Sequence, residues 1–278
     1  MTDQSPPTVV VLGATGKTGR RIVDRLRARG VPTRAGSRSA PLPFDWDYPA
    51  GWAPVLQDVG AAYISYYPDL AAPGASTKVS ALAEAAVSAG VERLVLLSGR
   101  GEEEAQATEK LVQDLDVAST IVRASWFAQN FSEGHLVDAI RGGVVLLPAG
   151  DTPEPFIDAD DIADVAVAAL TEDGHAGQLY EVTGPRLLTF AEAVAEIATA
   201  ADRPLTFARV SADDYAAAMA AEGVPEDVLD LIMYLFTTVL DGRNTYVTDG
   251  VERALGRPAR DFYDYAWDAA RSGIWDEG

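Results

Sequence analysis

Gly13, Gly16 and Gly19 stand three residues apart, directly after the apolar run at residues 9–12. Glycine allows both a tight turn and a close backbone approach, and the start of a helix directs unbonded amides outward. A strand, this turn and a helix together predict a pyrophosphate cradle. Gly13 would make the turn, Gly16 would admit the phosphate, and Gly19 would let the helix pack on the strand. Amides from Gly16 to Gly19 would face the phosphates, aided by the helix dipole.

The end of the second strand chooses the nucleotide. Dinucleotide folds that grip a free ribose diol place an acid there, whereas an arginine accommodates a 2′-phosphate. This chain reads Arg34, Ala35, Gly36, Ser37, Arg38, Ser39, with no acid before Asp45. Ser37 and Arg38 supply a hydroxyl and a guanidinium, so NADP(H) is the expected cofactor. The plainer alternative is that Arg38 is a solvated loop charge.

Other reactive side chains are scarce. The chain has no cysteine, two histidines and three lysines, Lys17, Lys78 and Lys110. Without cysteine there is no disulfide or thiolate chemistry, which fits a cytoplasmic protein. A formal charge of −20 argues against nucleic acid as a partner, because phosphate backbones are bound by clustered Lys and Arg. No apolar run reaches the roughly 20 residues that span a bilayer, and residues 1–7 have neither the basic nor the apolar region of a secretion signal.

Strands and helices alternate through the first half. Strands are expected at residues 8–13, 33–36, 61–66, 93–98 and 119–123, and helices at 18–29, 77–89, 102–115 and 126–141. Gly30 ends the first helix, with Pro32 beyond it. This alternation predicts an α/β fold with a doubly wound parallel sheet. Further on, residues 160–170 read as a helix and 178–183 as a strand. Thr189 and Glu192 form a capping box opening a helix to about residue 201. A strand at 205–210, a helix capped by Ser211, and helices at 226–240 and 261–271 complete the pattern. The expected organisation is a nucleotide-binding domain, residues 1–185, and a small, mainly helical substrate subdomain, residues 186–278, in a monomer or homodimer.

The chain resembles the NmrA-like family of atypical short-chain dehydrogenase/reductases over nearly its whole length. The motifs that carry the resemblance are GATGKTGR at 13–20, LLSGR at 96–100, IVRASWFAQNF at 121–131, PFIDADDIA at 155–163 and YEVTGP at 180–185. The resemblance implies a Rossmann core that binds NADP(H) and a variable C-terminal substrate region. Members include quinone, imine and benzylic ether reductases, as well as redox-sensing regulators. Carried over, Gly13, Thr15, Gly16, Lys17, Thr18 and Gly19 would line the pyrophosphate. Ser37 and Arg38 would meet the 2′-phosphate, and Asp45 and Trp46 would lie near the adenine. Tyr66 and Tyr67, after the family's fourth strand, would pass the ribose and nicotinamide. Ser98 ends the fifth strand, and Ala124, Ser125, Trp126 and Phe127 follow the sixth, facing the nicotinamide pocket.

Ordinary short-chain dehydrogenases use a Tyr with a Lys four residues later, the Lys lowering the phenol's pKa. Here Gly13, Gly74 and Gln106 precede the three lysines at that spacing, so the pair is absent. Some family reductases carry a catalytic lysine in the helix after the fifth strand, where this chain has Lys110. With its neighbour Glu109 it reads as a feature of the helix surface. Hydride transfer needs chiefly orientation, so an iminium or a quinone could be reduced without the pair.

Several other side chains are candidates. Ser98 could donate a hydrogen bond to substrate or to the nicotinamide ribose, or simply cap a strand. His135 could donate a proton near neutral pH, or lie in solvent. Asn130 could orient substrate or cap a turn. His175 sits in turn-forming sequence. Asp158, Asp160 and Asp161 read as helix-capping charge rather than a metal site. Trp126, Phe127 and Tyr234 are candidate substrate contacts; Tyr234 and Phe236, in an apolar helix with Met233, read mainly as core or dimer packing and otherwise as substrate contacts, while Tyr63, Trp52 and Trp46 read as structural. The leading expectation is an NADPH-dependent reductase of a small electrophile. The alternative is a non-catalytic NADP(H)-sensing regulator; an isomerase or epimerase lacks an acid/base pair.

Overall fold

The computed structural model describes residues 7–134 and 136–276. They form β1 (Thr8–Leu12), α1 (Lys17–Ala28), β2 (Thr33–Gly36), α2 (Trp52–Leu56), β3 (Val59–Ile64), α3 (Ala75–Ser88), β4 (Arg93–Gly99), α4 (Glu103–Gln113) and β5 (Ala118–Ala124). Then follow α5 (Leu136–Arg141), β6 (Val144–Leu147), α6 (Ala159–Thr171), β7 (Leu179–Val182), α7 (Phe190–Ala200), β8 (Thr206–Arg209), α8 (Ala212–Ala221), α9 (Glu226–Tyr234), α10 (Gly250–Leu255) and α11 (Phe262–Arg271).

The main sheet has the order β2-β1-β3-β4-β5-β7, and the pairs from β2 through β5 are parallel. Strand order therefore reverses at β1, whose carboxyl end carries the glycine turn, the place where such sheets bind nucleotides. Helices cover the sheet: α6 lies against β3, β4 and β5, α4 against β4 and β5, and α1 packs on α6. Strands covered on both faces read as unbroken apolar strings, and Val9, Val10, Val11 and Leu12 are all essentially inaccessible.

The chain divides into two compact units, and they interleave along the sequence. The first comprises Met1–Ala124, Ala159–Glu181 and Gly250–Arg257; the second comprises Ser125–Asp158, Val182–Asp249 and Pro258–Gly278. A contiguous split at residue 185 follows neither unit, because the chain leaves the sheet unit at Ser125 and re-enters it with α6. The second unit contains a parallel β6–β8 pair and a ring-rich core of Phe131, Phe156, Phe190, Phe236 and Phe262.

Three expectations need correction. Residues 126–141 are not one helix: a 3₁₀ turn at Ala128–Phe131 is followed, after Ser132, Glu133 and Gly134, by the short α5. Residues 226–240 are not uniformly α-helical either, since Leu235–Val239 form a π-helical turn after α9. The strands assigned fourth, fifth and sixth places in the family sheet are β3, β4 and β5 here. A 3₁₀ turn at Pro49–Gly51 and α2 occupy the stretch between β2 and β3.

Candidate active site

The turn after β1 is built by contacts that tolerate only glycine. Gly13 has φ +77°, and a Cβ on Gly19 would stand 2.1 Å from the Gly13 carbonyl oxygen. The Gly36 carbonyl accepts from the Gly13 and Ala14 amides at 3.2 and 3.3 Å, which clamps the end of β2 onto the turn. A Cβ on Gly36 would lie 2.6 Å from the Leu12 side chain. The residue types after β2 are thereby held beside the start of α1.

Helix α1 begins at Gly16 with no side-chain cap and no acid in its first turn. An uncapped N-terminus with a bare, exposed approach at Thr15 and Gly16 fits an anionic pyrophosphate. Thr18 departs from its expected part. It is buried, and its hydroxyl accepts a 2.8 Å bond from Tyr63, so its side chain packs and only its amide is available to a phosphate. Tyr63 is itself inaccessible, and burial pushes its phenol well above the ordinary range.

Around the end of β2, Ser37 is half-buried, its hydroxyl 3.4 Å from that of Ser39, and Arg38 is exposed, its guanidinium without a hydrogen bond or ion pair among the described residues. Trp46 meets Tyr66 edge-on at 4.8 Å and Phe44 at 5.0 Å, and the Asp45 carbonyl accepts from the Trp52 indole at 2.8 Å. Asp45, Trp46 and Tyr66 are thus brought into one cluster, while Tyr67 is 73% exposed.

The carboxyl ends of β4, β5 and β7 hold a buried ionic network. The Ser98 hydroxyl donates to Glu109 at 2.5 Å, and Arg123 bonds both oxygens of Glu109, its Nε lying at 2.9 Å from one. Arg123 also lies 3.6 Å from Glu181, which accepts from the buried Arg100 at 2.6 Å. Glu109 is therefore not a surface partner of Lys110: it is 2% exposed, while Lys110 faces solvent. Ser98 has its hydrogen committed, so it meets any further group as an acceptor. Glu102, in the loop after β4, is also buried and bonded to Asp69. Burial first, then the Asp69 charge and hydrogen bond, push its pKa up to about 10. Burial and the neighbouring Asp69 thus favour the protonated form of Glu102, whereas Glu109 is paired with Arg123.

The residues after β5 belong to the second unit. Ser125 is buried and donates to the Pro155 carbonyl at 2.6 Å. Trp126 and Phe127 run beside Ile157, whose amide donates to the Trp126 carbonyl at 2.9 Å. The Trp126 ring packs on Phe190 at 5.2 Å and on Phe236 at 5.1 Å. Asn130 lies in the 3₁₀ turn, half-buried, with its amide donating to the Phe127 carbonyl, and Tyr234 is half-buried at the end of α9. His135 lies outside the described residues. His175 is buried, 2.9 Å from the Tyr180 hydroxyl.

The three aspartates around the start of α6 are engaged by arginines. Asp160 pairs with Arg25 at 2.6 Å, Asp161 with Arg257 at 2.6 Å, and Asp158 with Arg260 at 2.9 Å. Among the described residues no group of His, Cys, Asp or Glu is placed to hold a metal ion, and no helix is long and apolar enough to cross a membrane. Sequence reasoning missed Glu102 and the buried roles of Glu109 and Arg123. A signal for Glu109 existed, since Ala105, Thr108, Glu109 and Val112 form the inward stripe of α4 at helical spacing.

No protein-family model matches the chain. It is 32% identical to the NAD(P)H azoreductase of Xenophilus azovorans, across 93% of this chain and 96% of that protein. Among solved structures it superposes on the NADPH-dependent quinone oxidoreductase of Escherichia coli complexed with NADPH, at TM-score 0.78 and 21% identity, covering 93% of this chain and 98% of that one. It also superposes on NmrA, a negative transcriptional regulator in complex with NAD, at TM-score 0.73 and 17% identity, covering 98% of this chain and 97% of that one. With the glycine turn at the switch point of its sheet and this full-length identity, the chain belongs to the NmrA-like family of atypical short-chain dehydrogenase/reductases, built on the NAD(P)-binding Rossmann fold.

Proposed function

We propose that the chain is an NADPH-dependent reductase of a small, readily reduced electrophile such as a quinone, an azo compound, an iminium or an enone. The observation that carries this reading is the uncapped start of α1 clamped beside Ser37 and the unpaired Arg38, with no acid at the end of β2. The named activity of the azoreductase, at 32% identity, supports it. Bound NADPH would supply a hydride. The amides from Gly16 to Gly19 would bind the pyrophosphate, with Gly13, Thr15 and Lys17 shaping the turn around it. Ser37 and Arg38 would bind the 2′-phosphate. Asp45, Trp46, Tyr66 and Tyr67 would flank the adenosine and ribose.

Beyond the nucleotide, Ser98 would accept from a ribose or substrate hydroxyl, its own proton held by Glu109. Ala124, Ser125, Trp126, Phe127, Asn130 and Tyr234 would contact nicotinamide or substrate. With no Tyr/Lys pair, the reaction suits acceptors whose product anion needs little help from a general acid. The test is a titration of NADPH and NADH into wild type and Arg38→Ala. The substitution should weaken NADPH roughly ten- to hundredfold and NADH less than twofold, as expected for a charge-assisted phosphate contact. Equal losses for both nucleotides would remove the 2′-phosphate assignment.

A further inference from the structure

The second unit contains a pocket of about 520 Å³, none of whose lining residues belongs to the proposed dinucleotide set. Its wall is apolar at Pro148, Val210 and Phe236, the last of these 5% exposed and backed by the Trp126 ring. Its rim carries one cation, Arg209, the last residue of β8. The backbone makes room for that guanidinium: a Cβ on Gly150 would lie 3.3 Å from its nearest nitrogen.

Arg209 shares with Arg38 a guanidinium that no carboxylate holds among the described residues. With 42 acids against 22 bases, guanidinium groups readily find carboxylates. Arg25, Arg100, Arg123, Arg186, Arg257 and Arg260 are all ion-paired. The Arg209 guanidinium is exposed and has no hydrogen bond or ion pair among the described residues. Beside it, α8 begins at the pocket wall with Ala212, and the Ser211 hydroxyl caps the Asp214 amide at 3.0 Å. The Ala212 amide has no acceptor within the helix by helix geometry. Asp213 and Asp214 offset the positive end of α8, so the guanidinium is the anchoring charge. The ring of the buried Tyr215 meets Phe236 at 5.9 Å, and its hydroxyl has no hydrogen-bond partner among the described residues.

We infer that this pocket binds a small amphipathic anion, its carboxylate, sulfonate or phosphate on Arg209 and its ring or chain against Pro148, Val210 and the exposed edge of Phe236. The inference does not depend on reductase activity, because binding can be measured without nucleotide. The probe is 2-naphthoate, compared by calorimetry with neutral 2-naphthamide on the whole chain. The acid should bind at least tenfold more tightly than the amide at low salt, with the preference shrinking as ionic strength rises. Arg209→Gln should erase the preference, and Arg209→Lys should keep part of it. Equal affinity for acid and amide, no binding of either, or a preference that survives in Arg209→Gln would overturn the proposal.

Discussion

The two units bury their interiors by different physics. The sheet unit takes charge inside: Arg100, Glu102, Glu109 and Asp161 are each 5% exposed or less, Arg100 and Glu109 held by opposite charges at the carboxyl ends of the strands and Asp161 by Arg257. The second unit buries two carboxylates as well, Glu154 and Asp158, but fills most of its core with rings, Phe131 touching Phe156, Phe190 and Phe262 at centroid distances of 5.5–6.0 Å. Charge networks fix geometry and respond to pH, whereas ring packing responds to lost volume. The candidate nucleotide residues cluster in the unit that needs fixed dipoles and charges. The open pocket with the unpaired arginine belongs to the unit whose core is built mainly of rings.

That contrast breaks most readily on the ring side. Phe190 is 1% exposed and packs edge-on against Trp126 and Phe156. Phe190→Ala should cost about 3–5 kcal/mol of stability, read by urea unfolding, and the loss should be the same at pH 6 and pH 9. A loss that changes steeply with pH would blur the distinction between the units.

On the charged side, Glu109→Gln should cost about 2 kcal/mol by the same measurement, because Arg123 loses its closest carboxylate but keeps Glu181. It should also free the Ser98 hydroxyl from its anionic acceptor. A neutral outcome would mean that water replaces the carboxylate there.

The last effect is a slope. In the folded chain Glu102 keeps its proton up to about pH 10, against an ordinary value of 4.5. Between those limits the folded state holds the extra proton, so wild-type stability falls as pH rises. Glu102→Gln keeps a neutral side chain and should remove a decline on the order of 1 kcal/mol per pH unit between pH 6 and 9. Parallel pH profiles for the two proteins would show that Glu102 is ionised in the fold.

The same contrast explains what could be read from the sequence. β1, α1, β4 and β5 were legible because doubly covered strands are continuous apolar strings and the glycines between them have one steric purpose. The capping box at Thr189 and Glu192 was equally readable, being local chemistry, and both of its bonds form. Glu109 was misread because hydrophobic periodicity counts only apolar residues, and a buried acid is recognised by a partner fourteen residues away. β6 was missed for a related reason. Val144 and Leu146 are 48% and 47% exposed while Val145 and Leu147 are buried, so no alternation marks the strand, and its partner β8 comes some sixty residues later. The break between Ala128–Phe131 and α5 depends on local turns that an apolar helical pattern overrides on paper.

The central claim is that this chain moves hydride from NADPH to a small acceptor. Its most direct test is a single-turnover reaction with NADPH deuterated at C4 and a quinone or azo acceptor, followed by mass spectrometry or NMR of nucleotide and product. NADP⁺ should form in step with reduced acceptor, one face of C4 should lose its deuterium selectively, and Arg38→Ala should slow the reaction at low NADPH but not with NADH. Tight NADPH binding with the C4 label intact after prolonged incubation across the acceptor classes would contradict it, and would leave a nucleotide-sensing protein in its place.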